Sequence, residues 1–183
     1  LLAGSKLAAQ EKKLHFGVTA GLNFQTLNSN DYKNNLGYKA GVAVRADLPA
    51  WFSIQPELLF HVKSGKLNKD TMLGFGYLEL PVNVQWGPWF DEDKRFRAFI
   101  QAAPYLGYAI SKDKSLDLDW QDINRFEYGA GIGLGFTAMV FNISAMYNWN
   151  FGSIAKYNAS ESFSKKFSDK NFSGFTLNIS IMF

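Results

Sequence analysis

The chain has 183 residues, no cysteine, two histidines and a net charge of +3. This excludes disulfide staples, cysteine-ligated metals and thiol nucleophiles, and leaves little imidazole for a metal or a catalytic base. The charged residues cluster between apolar segments, as at Lys63 to Asp70 and Ser111 to Asp122, which read as solvated loops and not as a nucleic-acid face. Aromatics make up 16% of the chain, more than a modest core uses and a quantity that interfacial girdles would absorb.

Residues 1–10 run from Leu1 through the small residues Ala8 and Ala9 to Gln10. They read as the tail of a secretory signal or as a disordered leader, ahead of a single domain over 11–183. No apolar run approaches the ~18 residues that a membrane-spanning helix needs. Beyond the leader the chain instead alternates apolar and polar residues with period two, in segments long enough to cross a bilayer when tilted.

The first strand is expected from Leu14 to Thr26, with Leu14, Phe16, Val18, Ala20, Leu22 and Phe24 on one face. A polar loop, Asn28 to Asn35, separates it from the second, Leu36 to Leu48, where Tyr38, Ala40, Val42 and Val44 oppose Lys39, Arg45 and Asp47. A tight turn at Pro49 leads to the third, Phe52 to Lys63, with Glu57 and His61 on its polar face. The fourth runs from Phe75 to Trp86 and the fifth from Phe96 to Ile110, carrying Glu79 and Arg97 on the polar side. In the sixth, Phe126 to Thr137, aromatic and aliphatic residues oppose Glu127 and Gly129, Gly131, Gly133 and Gly135. Two-residue glycine spacing with no helix behind it is not a nucleotide loop; it would leave volume for Phe99 and Tyr105 of the neighbouring strand. The seventh, Met139 to Phe151, and a closing strand, Phe172 to Phe183, complete the set, with the long polar segment from Gly152 to Asn171 between them. Pro56, Pro81 and Pro104 fall inside three successive strands. Each lacks the N–H that a ladder requires, so bulges are expected there, with a local weak seam as the alternative.

The count gives an all-β fold, an eight-stranded antiparallel up-and-down transmembrane β-barrel. Short connections near Pro49, Pro88 and Ala138 would share one side, the periplasmic one, with both termini, while the longer loops face outside. A soluble lipocalin-like carrier barrel would also alternate, with its oily face inward. Its exterior would be dense in Lys and Glu, whereas the polar face here is mostly Gly, Asn, Ser, Thr and Gln, which suits a packed interior. An interior network of Lys39, Arg45, Asp47, Glu57, Glu79, Arg97 and Glu127 is expected, with Glu57 and Glu79 facing Arg45 and Arg97. An aromatic girdle of Trp51, Trp86, Tyr38, Tyr108 and Trp149 would lie at headgroup level.

The segments Ser53 to Phe60, Tyr77-Leu-Glu-Leu-Pro-Val-Asn-Val84 and Gly129 to Gly135 together resemble the small outer-membrane β-barrel family of Bacteroidetes-type bacteria, called porin-like or PorT-like. The resemblance extends from about Lys13 to Phe183. It implies an eight-stranded barrel whose carboxy-terminal strand, here Phe175, Ile179, Ile181 and Phe183, is read by barrel-assembly machinery. Some members of that family look like accessory parts of secretion or assembly complexes, and no catalytic residues come with the likeness.

The expected function is therefore a non-enzymatic integral outer-membrane protein with a structural, adhesive or complex-forming role. Its partners would be outer-membrane lipid, the assembly machinery and other envelope proteins, with no cofactor, metal or nucleic acid. A narrow porin-like channel for small solutes is the alternative. A lipid-modifying enzyme would need a nucleophile and base near the rim, for which only His15 and His61 offer an imidazole.

Overall fold

Eight strands succeed one another with no intervening helix among the residues that the computed structural model describes, 14–27, 35–68, 71–112, 124–152 and 172–183. They are β1 (Leu14–Leu27), β2 (Asn35–Asp47), β3 (Phe52–Asn68), β4 (Thr71–Trp86), β5 (Phe96–Lys112), β6 (Phe126–Ala138), β7 (Phe141–Asn150) and β8 (Phe172–Met182). Each pairs antiparallel with its chain neighbours, and β8 returns to β1 from Gly17↔Met182 to Leu27↔Phe172, which closes the sheet into a barrel. Phe183 extends the closure: its N–H donates to the Phe16 carbonyl at 2.7 Å. The eight-stranded up-and-down barrel expected from the alternation is the fold observed.

Alternation decides which side chains go where, because successive residues of a strand point to opposite faces. Phe16, Val18, Ile132, Leu134 and Phe175 are exposed on the outer wall, while Thr19, Asn23, Gln85, Arg97, Thr137 and Thr176 are buried within the barrel. The distribution inverts that of a water-soluble protein. The polar stripe is sealed and the apolar one faces outward, an arrangement that is stable only where hydrocarbon surrounds the wall.

Two expectations require correction. The stretch from Lys63 to Asp70 is not a loop in its first six residues: β3 continues through Asn68 and β4 begins at Thr71, so Lys63, expected as the last residue of the third strand, lies well inside β3 and is fully buried. The prolines cause no bulges. Pro56 pairs with Val82, Pro81 with Tyr105 and Pro104 with Ala130 in unbroken register, and the shifts occur instead at Lys66/Asn68 and Gly76/Tyr77. The ladders do skip two pairs beside each proline, between Ala43↔Glu57 and Ala46↔Ile54, Pro56↔Val82 and Leu59↔Glu79, and Pro81↔Tyr105 and Val84↔Ala102. A missing N–H removes a bond without adding a residue, so pairing lapses while register, held by the bonds on either side, persists. The three gaps step diagonally across β2 to β5, where the alternative, a local weak seam, would lie. The leader over 1–10 and the polar connections 28–34, 113–123 and 153–171 lie outside the described residues.

The glycines of β6 make room for neighbours. The ring of Phe99 stands where a Cβ on Gly135 would be, and the ring of Tyr105 does the same at Gly129, while Met146 and Asn148 cover Gly131 and Gly133. Filling one of these spaces should strain the wall. Gly135→Val is expected to cost about 1–3 kcal/mol by overpacking, whereas Ala130→Val, which lies on the outward stripe of the same strand, should stay within about 0.5 kcal/mol. Equilibrium unfolding in denaturant, followed by gel mobility of the folded form, measures both.

Candidate functional site

Two layers of side chains fill the lumen between β2 and β6. Near the short turns, Arg97 is fully buried and donates from Nη1 to Ser53 Oγ at 2.7 Å and from Nη2 to Gln85 Oε1 at 2.6 Å. Ser53 Oγ donates in turn to Asp47 Oδ1 at 2.7 Å, and Asp47 also meets Arg45 Nε at 3.2 Å and His15 Nε2 at 3.2 Å. The indole of Trp89 has the Arg97 guanidinium 4.7 Å from its centroid and that of Arg45 at 5.9 Å. The turn that presents Trp89 is fixed by Asp91, whose Oδ1 accepts the backbone N–H of Arg95 and of Phe96, each at 2.9 Å. Desolvation opposes ionisation of Asp91, but these bonds and the Arg95 side chain together outweigh it and hold the carboxyl below its usual range.

The deeper layer is centred on Lys63, a residue of β3. Its Nζ pairs with Glu127 Oε1 on β6 and lies 3.4 Å from Glu79 Oε2 on β4. Tyr77 and Tyr105 present their ring faces to the same ammonium, with centroids at 5.0 and 5.2 Å. The other Glu127 oxygen accepts from Asn150 Nδ2 at 2.8 Å, and Glu79 Oε2 is 2.7 Å from His61 Nδ1. Glu79 and Glu127 flank Gly107 in the register, and the Glu127 side chain leans over it. Glu57 accepts from Gln55 Nε2 at 2.7 Å, and the basic charge acting most strongly on it is Lys39.

The seven charged residues expected inside all face the lumen, but the pairing differs from expectation. Glu57 and Glu79 do not face Arg45 and Arg97. The two arginines sit near the short-turn ends of β2 and β5, at the level of Asp47, Ser53 and Gln85, whereas both glutamates lie further along their strands, where Lys39, His61 and Lys63 are the bases. The reason is geometric: antiparallel register combined with strand stagger, not sequence proximity, decides which residues share a height. Sequence reasoning also passed over Lys63, Tyr77 and Trp89. Lys63 and Tyr77 continue the inward parity of their strands, from His61 and Glu79, and Trp89, just past the end of β4, keeps that of Gln85; parity was the available signal, masked at Lys63 and Trp89 by composition that looks like a loop.

Outside, Trp51 and Trp86 pack 6.3 Å apart at the short-turn end, and Trp149 meets Tyr147 at 4.9 Å nearer the other. Tyr38 and Tyr108 are exposed on the same outer surface, as are Phe175, Ile179 and Phe183 of the last strand, with Ile181 half-buried. Two aromatic belts bordering an aliphatic band are what a membrane-spanning barrel presents to its two interfaces. The family model for the outer membrane protein β-barrel domain matches residues 8–156.

The chain belongs to that family. It is an outer-membrane protein whose strands cross the bilayer, and the match runs from ahead of β1 to beyond β7, so that closure by β8 is seen in the structure itself. Among curated proteins there is no match. Within this outer-membrane barrel the described lumen stripe holds four basic residues, Lys39, Arg45, Lys63 and Arg97, and four acidic ones, Asp47, Glu57, Glu79 and Glu127. That balance lets a buried polar core exist without a net charge to desolvate.

Proposed function

We propose that this outer-membrane barrel is a non-enzymatic, plugged scaffold that serves as a structural, adhesive or complex-forming subunit of the envelope. The observation that carries the reading is the Lys63–Glu127 pair. β3 and β6 stand three strands apart in an eight-stranded ring, so the pair reaches across the lumen, and the rings of Tyr77 and Tyr105 close around it. An eight-stranded barrel leaves room for side chains and little else. His61 supports the same reading: it is 2% exposed and engaged by Glu79, far from a role as a rim base. The longer connections would face outside and the short turns and termini the periplasm, with the apolar outward face of β8 as the label read during assembly.

Reconstituted into a planar lipid bilayer, the protein is expected to give no discrete conductance steps. Regular steps that survive purification would replace the plugged scaffold with a small-solute channel. The complex-forming role is tested by isolation from native membranes in mild detergent, where a reproducible protein partner is expected.

A further inference from the structure

We infer that the short-turn mouth of the barrel is a binding site for a singly charged carboxylate bearing an apolar group. A cavity of about 730 Å³ opens there, walled by the turn at Pro49, the turn at Trp89 and the end of the chain at Met182. That is the size of a pocket for a small organic ligand. Arg45 lines it while only 4% exposed, and its Nε and Nη1 make no hydrogen bond; Nε approaches Asp47 but is poorly aligned with it. Behind Trp89, the Nε of Arg97 is likewise unfilled. Buried guanidinium donors left open are costly, and the lowest-energy remedy is an anionic acceptor.

Charge narrows the ligand. The mouth layer places two guanidiniums, Arg45 and Arg97, around one carboxylate, Asp47, with His15 attached to the latter. That inner layer is one negative charge short, while the rim of the cavity adds Glu92, Asp93 and Lys94. A phosphate near neutral pH would bring close to two, and it would do so beside Asp47 and under a rim where Glu92 and Asp93 outnumber Lys94. The deeper layer has the opposite imbalance, one carboxylate in excess, but its carboxylates lie further inside, where Glu79 meets Lys63 and His61. Polarity narrows the ligand again. The same cavity is lined by Leu48, Val140 and Met182, which would cover a hydrocarbon or aromatic substituent once the carboxylate is seated.

The test uses the full chain in detergent micelles and N-acetyl-L-phenylalanine as probe, titrated by calorimetry against its amide and against inorganic phosphate. Saturable binding at one site is expected, with the amide at least tenfold weaker, since the charged acceptor is lost. Arg45→Gln should weaken binding at least tenfold while keeping the heat-dependent gel shift of a folded barrel. Should that variant not fold, Asp47→Asn decides: it removes the competing carboxylate and is expected to tighten binding several-fold. Absence of saturable binding to the folded wild type, unchanged affinity in Arg45→Gln, or phosphate displacing the probe at equal concentration would each overturn the assignment.

Discussion

Lys63→Met is expected to destabilise the barrel by about 3–5 kcal/mol, the usual cost of stripping one partner from a buried ion pair. Methionine matches the length of the lysine stem and keeps the contacts with Tyr77 and Tyr105, so little of the loss comes from packing. What changes is that, among the described residues, Glu127 retains Asn150 and Glu79 retains His61, both in a sealed interior. The effect is read from urea unfolding in lipid vesicles, as a fall in midpoint at constant slope. Adding Glu127→Gln to the same chain should recover about half the loss, because the amide still accepts from Asn150 and no longer needs a counter-charge; the double-mutant cycle isolates the pair. A loss under about 1 kcal/mol would place water around these carboxylates and would remove the support for a plugged lumen.

The number of strands and the choice of outer face were legible because each strand meets two different surroundings, and period two is the imprint of that contrast. β6 is the clearest case: its outward Ile132, Leu134 and Phe136 alternate with glycines that have no reading except room for Tyr105, Phe99 and β7. Legibility ended where residue composition and position disagree. Lys63 to Lys66 carries two lysines, a serine and a glycine, so composition says loop although parity says strand, and the ammonium it hides organises the interior. The partners inside the lumen were beyond reach for another reason. Arg45 and Glu57 belong to adjacent strands of one hairpin and look like natural partners, yet register places Ala43, not Arg45, opposite Glu57. A shift of two residues along a strand is about 7 Å, enough to trade one counter-ion for another. The prolines show the same limit: their missing N–H groups were countable, but whether the sheet would bulge or simply lose pairs depends on the bonds in the flanking ladders.

Ile132→Arg is the substitution expected to separate the outer wall from the lumen most sharply. Ile132 lies midway along β6, 57% exposed, between Ala102 of β5 and Tyr147 of β7. A cation there faces the middle of the hydrocarbon layer, where arginine costs about 2–4 kcal/mol; nearer an interface the cost falls to about 0–1 kcal/mol. Phe136→Arg, on the same outward stripe but two residues from the end of β6, therefore serves as the companion variant. Its penalty should be smaller by about 2 kcal/mol in charge cost, once the loss common to any removal of the Phe136 ring is subtracted with Phe136→Gln. Measured in lipid vesicles, the pair gives a depth profile of the wall; in detergent micelles, which deform around a charge, the difference should shrink. A flat profile in vesicles would mean that the aliphatic band of β6 does not sit at the bilayer centre, and that the two aromatic belts mark something other than its interfaces.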